Sequence, residues 1–240
     1  MAIFTTEFTR RETVAEGTMA FHFARPLDFE FKAGHSMNVS LLDPPETDAK
    51  GNRRTFSIVS APAENELVIA TRMRDTAFKR VLRTMPEGAK VQLRGPAGDF
   101  TLDESGPRPA AFLAGGIGIT PFVSMLRQAA IDRLQRKLYL FYSNRRPEDA
   151  AFLDELTALE ERNPNYRFIG TMTDMDKSHR PWRGDRGYID KSMLTRVLGD
   201  ILAPVYYTAG PPAMVDTMRN LLAGAGVNGD DIRSDEFYGY

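Results

Sequence analysis

The chain contains no cysteine, which excludes disulfides, thiolate-bound zinc and an iron–sulfur cluster held by the protein. Histidine is scarce as well: His22, His35 and His179 lie far apart and show no metal-ligand spacing. No apolar run reaches the length of roughly 18 residues that a spanning helix needs, so no membrane insertion is expected. The N-terminal MAIFTTEFTRRETVAEG lacks the basic-then-apolar layout of a signal peptide, and a cytoplasmic location follows as the expectation. A dominant charge is missing too. The net charge is −1, which argues against nucleic acid as a partner. Repeats and low-complexity segments are absent. What remains is a chain of 240 residues with 42% hydrophobic content, enough for one large core or two ordinary ones.

Its two halves follow different patterns. In the first, short β-branched or aromatic runs such as TMAFHFA, HSMNVSLL, RTFSIVSA, ELVIATRM and AKVQLRG are separated by turn clusters such as LDPPETDAKGN. A single helix is expected from Ala77 to Met85, with Phe78, Val81, Leu82 and Met85 on one face. Strands with one helix predict an antiparallel barrel or sandwich. After ESGPRPA the chain alternates: strand AAFLA, helix from Pro121, strand KLYLFY, helix EDAAFLDELTALEER, strand YRFIGTMT, helix KSMLTRVLG, strand PVYYTA, helix PAMVDTMRNLLAGA and a closing IRSDEFYGY. Such alternation predicts a parallel sheet covered by helices. We therefore expect two domains, a β-barrel over 1–105 and an α/β domain over 106–240, hinged near Gly106–Pro109.

The most informative stretch is FLAGGIGITPFVSML, residues 112–126. Gly115, Gly116 and Gly118 follow a central-strand pattern, where open α/β sheets bind ligands. Thr120 reads as a helix N-cap and Pro121 as its first residue. Free amides in that first turn suit an anion, with tight strand–helix packing as the plain alternative for the glycines. The next strand ends in Ser143-Asn144-Arg145-Arg146. An acidic residue there would hold a ribose 2′-hydroxyl, whereas Ser143, Arg145 and Arg146 suit a 2′-phosphate, which favours NADPH over NADH. Glu148 and Asp149 read as the acidic first turn of the next helix.

Several motifs in order resemble the ferredoxin–NADP reductase family of flavoproteins. Arg54-Thr55-Phe56-Ser57 resembles its flavin motif, Phe31 to His35 and Gly95 to Phe100 its barrel signatures, and Gly115 to Pro121 its nucleotide turn. Ala209-Gly210-Pro211-Pro212-Ala213-Met214 resembles its later Cys-Gly-Pro motif, and the tail Asp235 to Tyr240 its closing segment. The resemblance implies a flavin-binding barrel followed by a pyridine-nucleotide domain. Arg54 would pair with the flavin pyrophosphate, a role suited to a planar cation with several donors. Phe56 would lie along the flavin with Thr55 beside it, and Ser57 would hydrogen-bond near the atom that accepts hydride. Arg72, Met73 and Thr76 would help to hold the same pyrophosphate. Gly210, Pro211 and Met214 would line the nicotinamide side, Glu236 and Phe237 would act at the reacting rings, and Tyr240 would stack on the flavin. Two departures stand out: Phe56 replaces the usual tyrosine, and Ala209 the usual cysteine.

The function implied is that of a reductase carrying FAD, with FMN as the less favoured flavin. Hydride would come from NADPH or NADH, and single electrons would leave. Because the sequence stops at Tyr240, without a fused ferredoxin domain, the acceptor is expected to be a separate ferredoxin, flavodoxin or oxygenase component. Lys79, Arg80 and Arg83, with Arg72, Arg74 and Arg94, are candidates for steering an acidic carrier. The alternatives are a flavin or quinone reductase using a small acceptor, and a regulatory subunit without turnover.

Overall fold

The structure, a computed structural model, describes residues 2–103 and 106–238. It divides into two compact units: Met1–Leu102 with Thr120–Gln128, and Asp103–Ile119 with Ala129–Tyr240. The first unit thus takes in most of one helix from the stretch that the sequence pattern places in the second domain.

The first unit is an antiparallel sheet of six strands, β1 (Ala2–Ala15), β2 (Thr18–Ala24), β3 (Ser36–Leu41), β4 (Arg53–Ser57), β5 (Glu66–Arg72) and β6 (Lys90–Ala97), in the order β4-β3-β6-β1-β2-β5. β2, β3, β5 and β6 fall on the expected runs, and β4 covers the first half of RTFSIVSA. Beyond the end of β4, Val59 N–H donates to the Val68 carbonyl at 2.7 Å, and Val68 N–H to Ser60 Oγ at 3.1 Å. These bonds join the β4 and β5 ends of the sheet. Sequence pattern does not announce β1, the longest strand and a central one. It buries only Thr6 and Phe8, while Thr9 to Glu12 read as a polar segment. The core gathers Phe8, Phe21, Phe23, Phe29, Met37, Val39, Ile69 and Leu93. The helix α1 (Ala77–Thr84) closes over it with Phe78, Val81 and Leu82, the face that its spacing predicts.

In the second unit β7 (Ala110–Gly115) runs into a 3₁₀ turn over Gly116–Ile119, after which α2 (Thr120–Ile131) lies mostly in the first unit. There follow β8 (Leu138–Asn144), α3 (Leu153–Arg162), β9 (Tyr166–Met172), β10 (Asp185–Arg186), α4 (Lys191–Leu198), β11 (Val205–Gly210), α5 (Pro212–Gly224) and β12 (Ile232–Glu236). All six strands pair in parallel, in the order β10-β9-β8-β7-β11-β12. The first strand of this sheet, β7, is therefore central. Successive strands build outward from it on one side and then on the other. The reversal falls between β7 and β11, and such a switch point opens a crevice at the carboxyl ends of its two strands.

Two local departures have clear causes. The helical path after β7 begins at Gly116, so Thr120 lies inside it rather than capping it. Pro121 has no N–H for the preceding turn, and that turn closes in 3₁₀ form. Likewise, α3 starts at Leu153 and not at Glu148, because Phe152 adopts a left-handed conformation (φ 60°) after a 3₁₀ turn over Pro147–Asp149. The first seven residues of α2, Thr120 to Leu126, are all buried. On the face away from the expected apolar stripe, Ser124 Oγ donates to the Ser60 carbonyl at 2.7 Å.

Candidate functional site

In the first unit the candidate residues converge where β4 meets α1. Arg54 lies over the ring of Phe78, its guanidinium carbon 5.1 Å from the centroid. Phe56 packs on the same ring at 5.9 Å between centroids. Ser57 is buried, and its hydroxyl has no hydrogen-bond partner among the described residues, which leaves it for a ligand. Thr55 is turned aside and donates to Asn38 Oδ1 at 2.9 Å. Thr76 caps α1 by accepting from Lys79 N–H, as its extended backbone allows. Behind that cap the amides of Ala77 and Phe78 have no helical acceptor. Met73 is otherwise engaged: its N–H donates to the Gly17 carbonyl at 2.7 Å and its side chain packs on the core.

The cations here are crowded. Lys79 Nζ donates to the Arg72 carbonyl at 2.7 Å. Burial, then repulsion from Arg74 and Arg54, bring its pKa down to about 8. Like charges held this close around a helix N-terminus fit a pyrophosphate. Not all of the expected basic patch is open. Arg80 pairs with Glu46 at 2.6 Å and also with Asp75, whereas Arg74, Arg83 and Arg94 are exposed.

The candidates of the second unit meet at the switch point. A Cβ on Gly118 would stand 2.5 Å from Gly210 Cα, and one on Gly115 would overlap Met214 Sδ and lie 3.2 Å from Pro211 Cδ. Close packing of the β7 turn on the β11 turn thus accounts for two of the three glycines. Gly116 is different: it takes φ +54° with nothing within 4 Å of where a Cβ would stand. This open backbone, followed by a helical start, fits a nucleotide phosphate. In β12, Glu236 pairs in register with Gly210, and Phe237 N–H donates to the Gly210 carbonyl at 3.0 Å. Tyr238, which the sequence reading gave no role, donates its hydroxyl to Glu236. Tyr240 lies outside the described residues.

The end of β8 separates two adjacent arginines. Ser143 pairs in register with Gly115. Arg146 is clamped on Asp149, with Nε to Oδ2 at 3.0 Å and Nη2 to Oδ1 at 2.9 Å. Arg145 is exposed, with no side-chain partner among the described residues. Glu148 sits in the 3₁₀ turn over Pro147–Asp149 and not in the first turn of α3. It accepts from the amides of His179 and Arg180, at 2.6 and 2.8 Å, and from Ser178 Oγ. Burial pushes its carboxyl up, but these bonds outweigh that and hold it at about 2. The loop over 173–184 is anchored further by Trp182. Its ring covers Gly170 and Gly184, where a Cβ would come within 2.6 and 2.5 Å of ring carbons.

The family model of the oxidoreductase NAD-binding domain matches residues 112–220. The chain is 27% identical over 230 residues to the glycine betaine monooxygenase reductase subunit of Chromohalobacter salexigens, covering 95% of this chain but only 61% of that protein. The crystal structure of a ferredoxin NADP+ reductase from Neisseria gonorrhoeae, with bound FAD and NADP, shares the fold. It matches with a TM-score of 0.82 at 22% identity, over 98% of this chain and 99% of that one. Among the described residues no helix is long and apolar enough to cross a membrane. Ferredoxin–NADP reductase B of Sorangium cellulosum is 32% identical over 218 residues, 84% of this chain and 86% of that protein, and the chain belongs to the ferredoxin–NADP reductase family.

Proposed function

We propose that the protein is an FAD-dependent NAD(P)H oxidoreductase that passes electrons to a separate carrier, a ferredoxin, a flavodoxin or an oxygenase component, in the cytoplasm. The observation that carries this reading is the switch point: the backbone of Gly116 is open where β7 ends, and the neighbouring strands β11 and β12 end in register at Gly210 and Glu236. Membership of the family and the relatives' names support the carrier class, and the Neisseria structure supports FAD over FMN.

A bound flavin supplies the redox chemistry, accepting hydride and releasing electrons one at a time. The chain's own residues supply binding and orientation. Arg54 would hold the flavin pyrophosphate, with the first-turn amides of α1 beside it. Phe56 gives the ring an apolar wall, and the unpaired hydroxyl of Ser57 offers a hydrogen bond. Gly116 of the second unit, and Thr120 at the start of α2, would face the nucleotide phosphates, and Arg145 the 2′-phosphate. Pro211 and Met214 shape the wall next to Glu236 and Phe237.

The test is purification, loading with FAD and anaerobic mixing with NADPH or NADH. Loss of the yellow flavin colour, then reoxidation by ferredoxin, flavodoxin or an oxygenase component, is the expected result. A protein that takes up no flavin, or whose flavin neither coenzyme bleaches, would overturn the reading.

A further inference from the structure

The guanidinium assigned to the flavin phosphates already holds an anion. Arg54 Nη2 donates to both carboxylate oxygens of Asp48, at 2.9 and 3.2 Å. Its Nη1 lies 2.8 to 2.9 Å from the carbonyls of Lys50, Gly51 and Arg53. Both terminal nitrogens, the pair an arginine needs to grip a phosphate in fork fashion, are therefore taken up by the protein. The carboxylate comes from the loop between β3 and β4. That loop contributes a second acid, Glu46, which holds Arg80 through two nitrogens, Nε to Oε1 at 2.9 Å and Nη2 to Oε2 at 2.6 Å. It thus lays two carboxylates against cations that flank the N-terminus of α1.

We propose that Asp48 occupies the phosphate-binding donors of Arg54, that flavin binding exchanges this carboxylate for phosphate, and that Asp48 thereby sets flavin affinity by opposing it. The inference rests on the assignment of Arg54 to the flavin pyrophosphate. Release need not unfold the loop. Asp48 Oδ1 also accepts from Lys50 N–H at 2.9 Å, and Gly51 N–H donates to the Asp48 carbonyl at 2.8 Å. The turn therefore keeps its own bonds when the ion pair opens. The pair is partly solvated, with side chains 21% and 32% exposed, so the exchange costs little and remains reversible. Once displaced, the carboxylate still stands near the incoming phosphate and repels it.

Titration of the apoprotein with FAD, FMN and riboflavin, followed by flavin fluorescence, tests the exchange. Asp48→Asn should tighten FAD and FMN by roughly fivefold and leave riboflavin, which has no phosphate, unchanged. Asp48→Ser should do the same, which guards against a folding artefact of one variant. Glu46→Gln, which frees Arg80 and not Arg54, should have the smaller effect. In an Arg54→Ala background Asp48→Asn should lose its effect, since the two act through one contact. Weaker or unchanged FAD binding in both Asp48 variants would overturn the exchange and make Asp48 a prop for Arg54. If Arg54→Ala binds FAD as tightly as the parent, the assignment of Arg54 itself fails, and the exchange with it.

Discussion

Arg145 and Arg146 are neighbours in sequence and opposites in role. Arg146 spends its guanidinium on Asp149 in a bidentate pair whose side chains are only 19% and 14% exposed. Arg145 faces solvent. Only Arg145 is available for a 2′-phosphate. Arg145→Ala should raise the KM for NADPH about tenfold, the worth of one charge-assisted contact, and leave NADH nearly unchanged. Arg146→Ala should instead strand a half-buried carboxylate and cost about 2 kcal/mol of stability, with little change in the ratio of the two coenzymes. Steady-state kinetics with each coenzyme and thermal melts separate the outcomes. Equal losses for NADPH and NADH in Arg145→Ala would remove the 2′-phosphate role. Sequence alone leaves the two arginines equivalent. What separates them is the 3₁₀ turn that brings Asp149 back onto Arg146, and no periodicity signals a turn of three residues.

At the level of elements, the two turns at the switch point are built as one unit. Gly118 is required because the β11 turn lies against it, and Gly116 because its backbone is left-handed. Gly118→Ala forces a methyl into backbone atoms that cannot move aside, so it should destabilise by about 3 kcal/mol or prevent folding. Gly116→Ala meets no atom and carries only the left-handed penalty, about 1 kcal/mol. It should fold and chiefly weaken coenzyme binding. Melting curves and NADP+ titration of both variants test this difference, and a Gly116→Ala variant that binds NADP+ normally would argue against the cradle.

The elements themselves were mostly legible. The alternation of strands and helices after residue 109, the amphipathic helix α1 and five of the six strands of the first sheet follow from patterns of period 2 and 3.6. What pattern missed has a common origin. β1 has polar residues along its second half, so alternation fades where the strand still pairs on both sides. The start of α3 moved because Asp149 and Glu148, good residues for a first helical turn, are drawn into ion pairing and loop anchoring. Thr120 reads as a cap until the turn before it proves helical. Of the site, the motif residues were legible in kind. The Asp48 carboxylate on Arg54 was not, since the contact depends on a loop whose fold no local signal specifies.

For the whole molecule, a net charge of −1 conceals a strong local concentration of cations, and stability should report it. Lys79 has an ordinary pKa of 10.5 in the unfolded chain and one of about 8 in the folded protein, chiefly through burial. The sign follows from proton counting. Below pH 8 both states hold the proton, and the folded protein carries the full penalty of a desolvated charge. Between about 8 and 10.5 the folded protein has released a proton that the unfolded chain still binds, so stability rises with pH. Above 10.5 both are neutral and the gain levels off. This is the reverse of a lysine that gains an anionic partner. Lys79→Met removes the titration while keeping the length of the buried stem, so the difference in Tm between the parent and variant apoproteins should shrink steadily from pH 8 to 10.5. Every other ionisable group is the same in both proteins and cancels in the difference. A difference independent of pH would mean that the ammonium is solvated in the folded protein, and that the crowding of Lys79 with Arg54 and Arg74 does not strain the site. If the difference does shrink, the apoprotein holds a desolvated ammonium, crowded by Arg74 and Arg54, at the very place where the flavin phosphates are proposed to bind, and an anion there stabilises it.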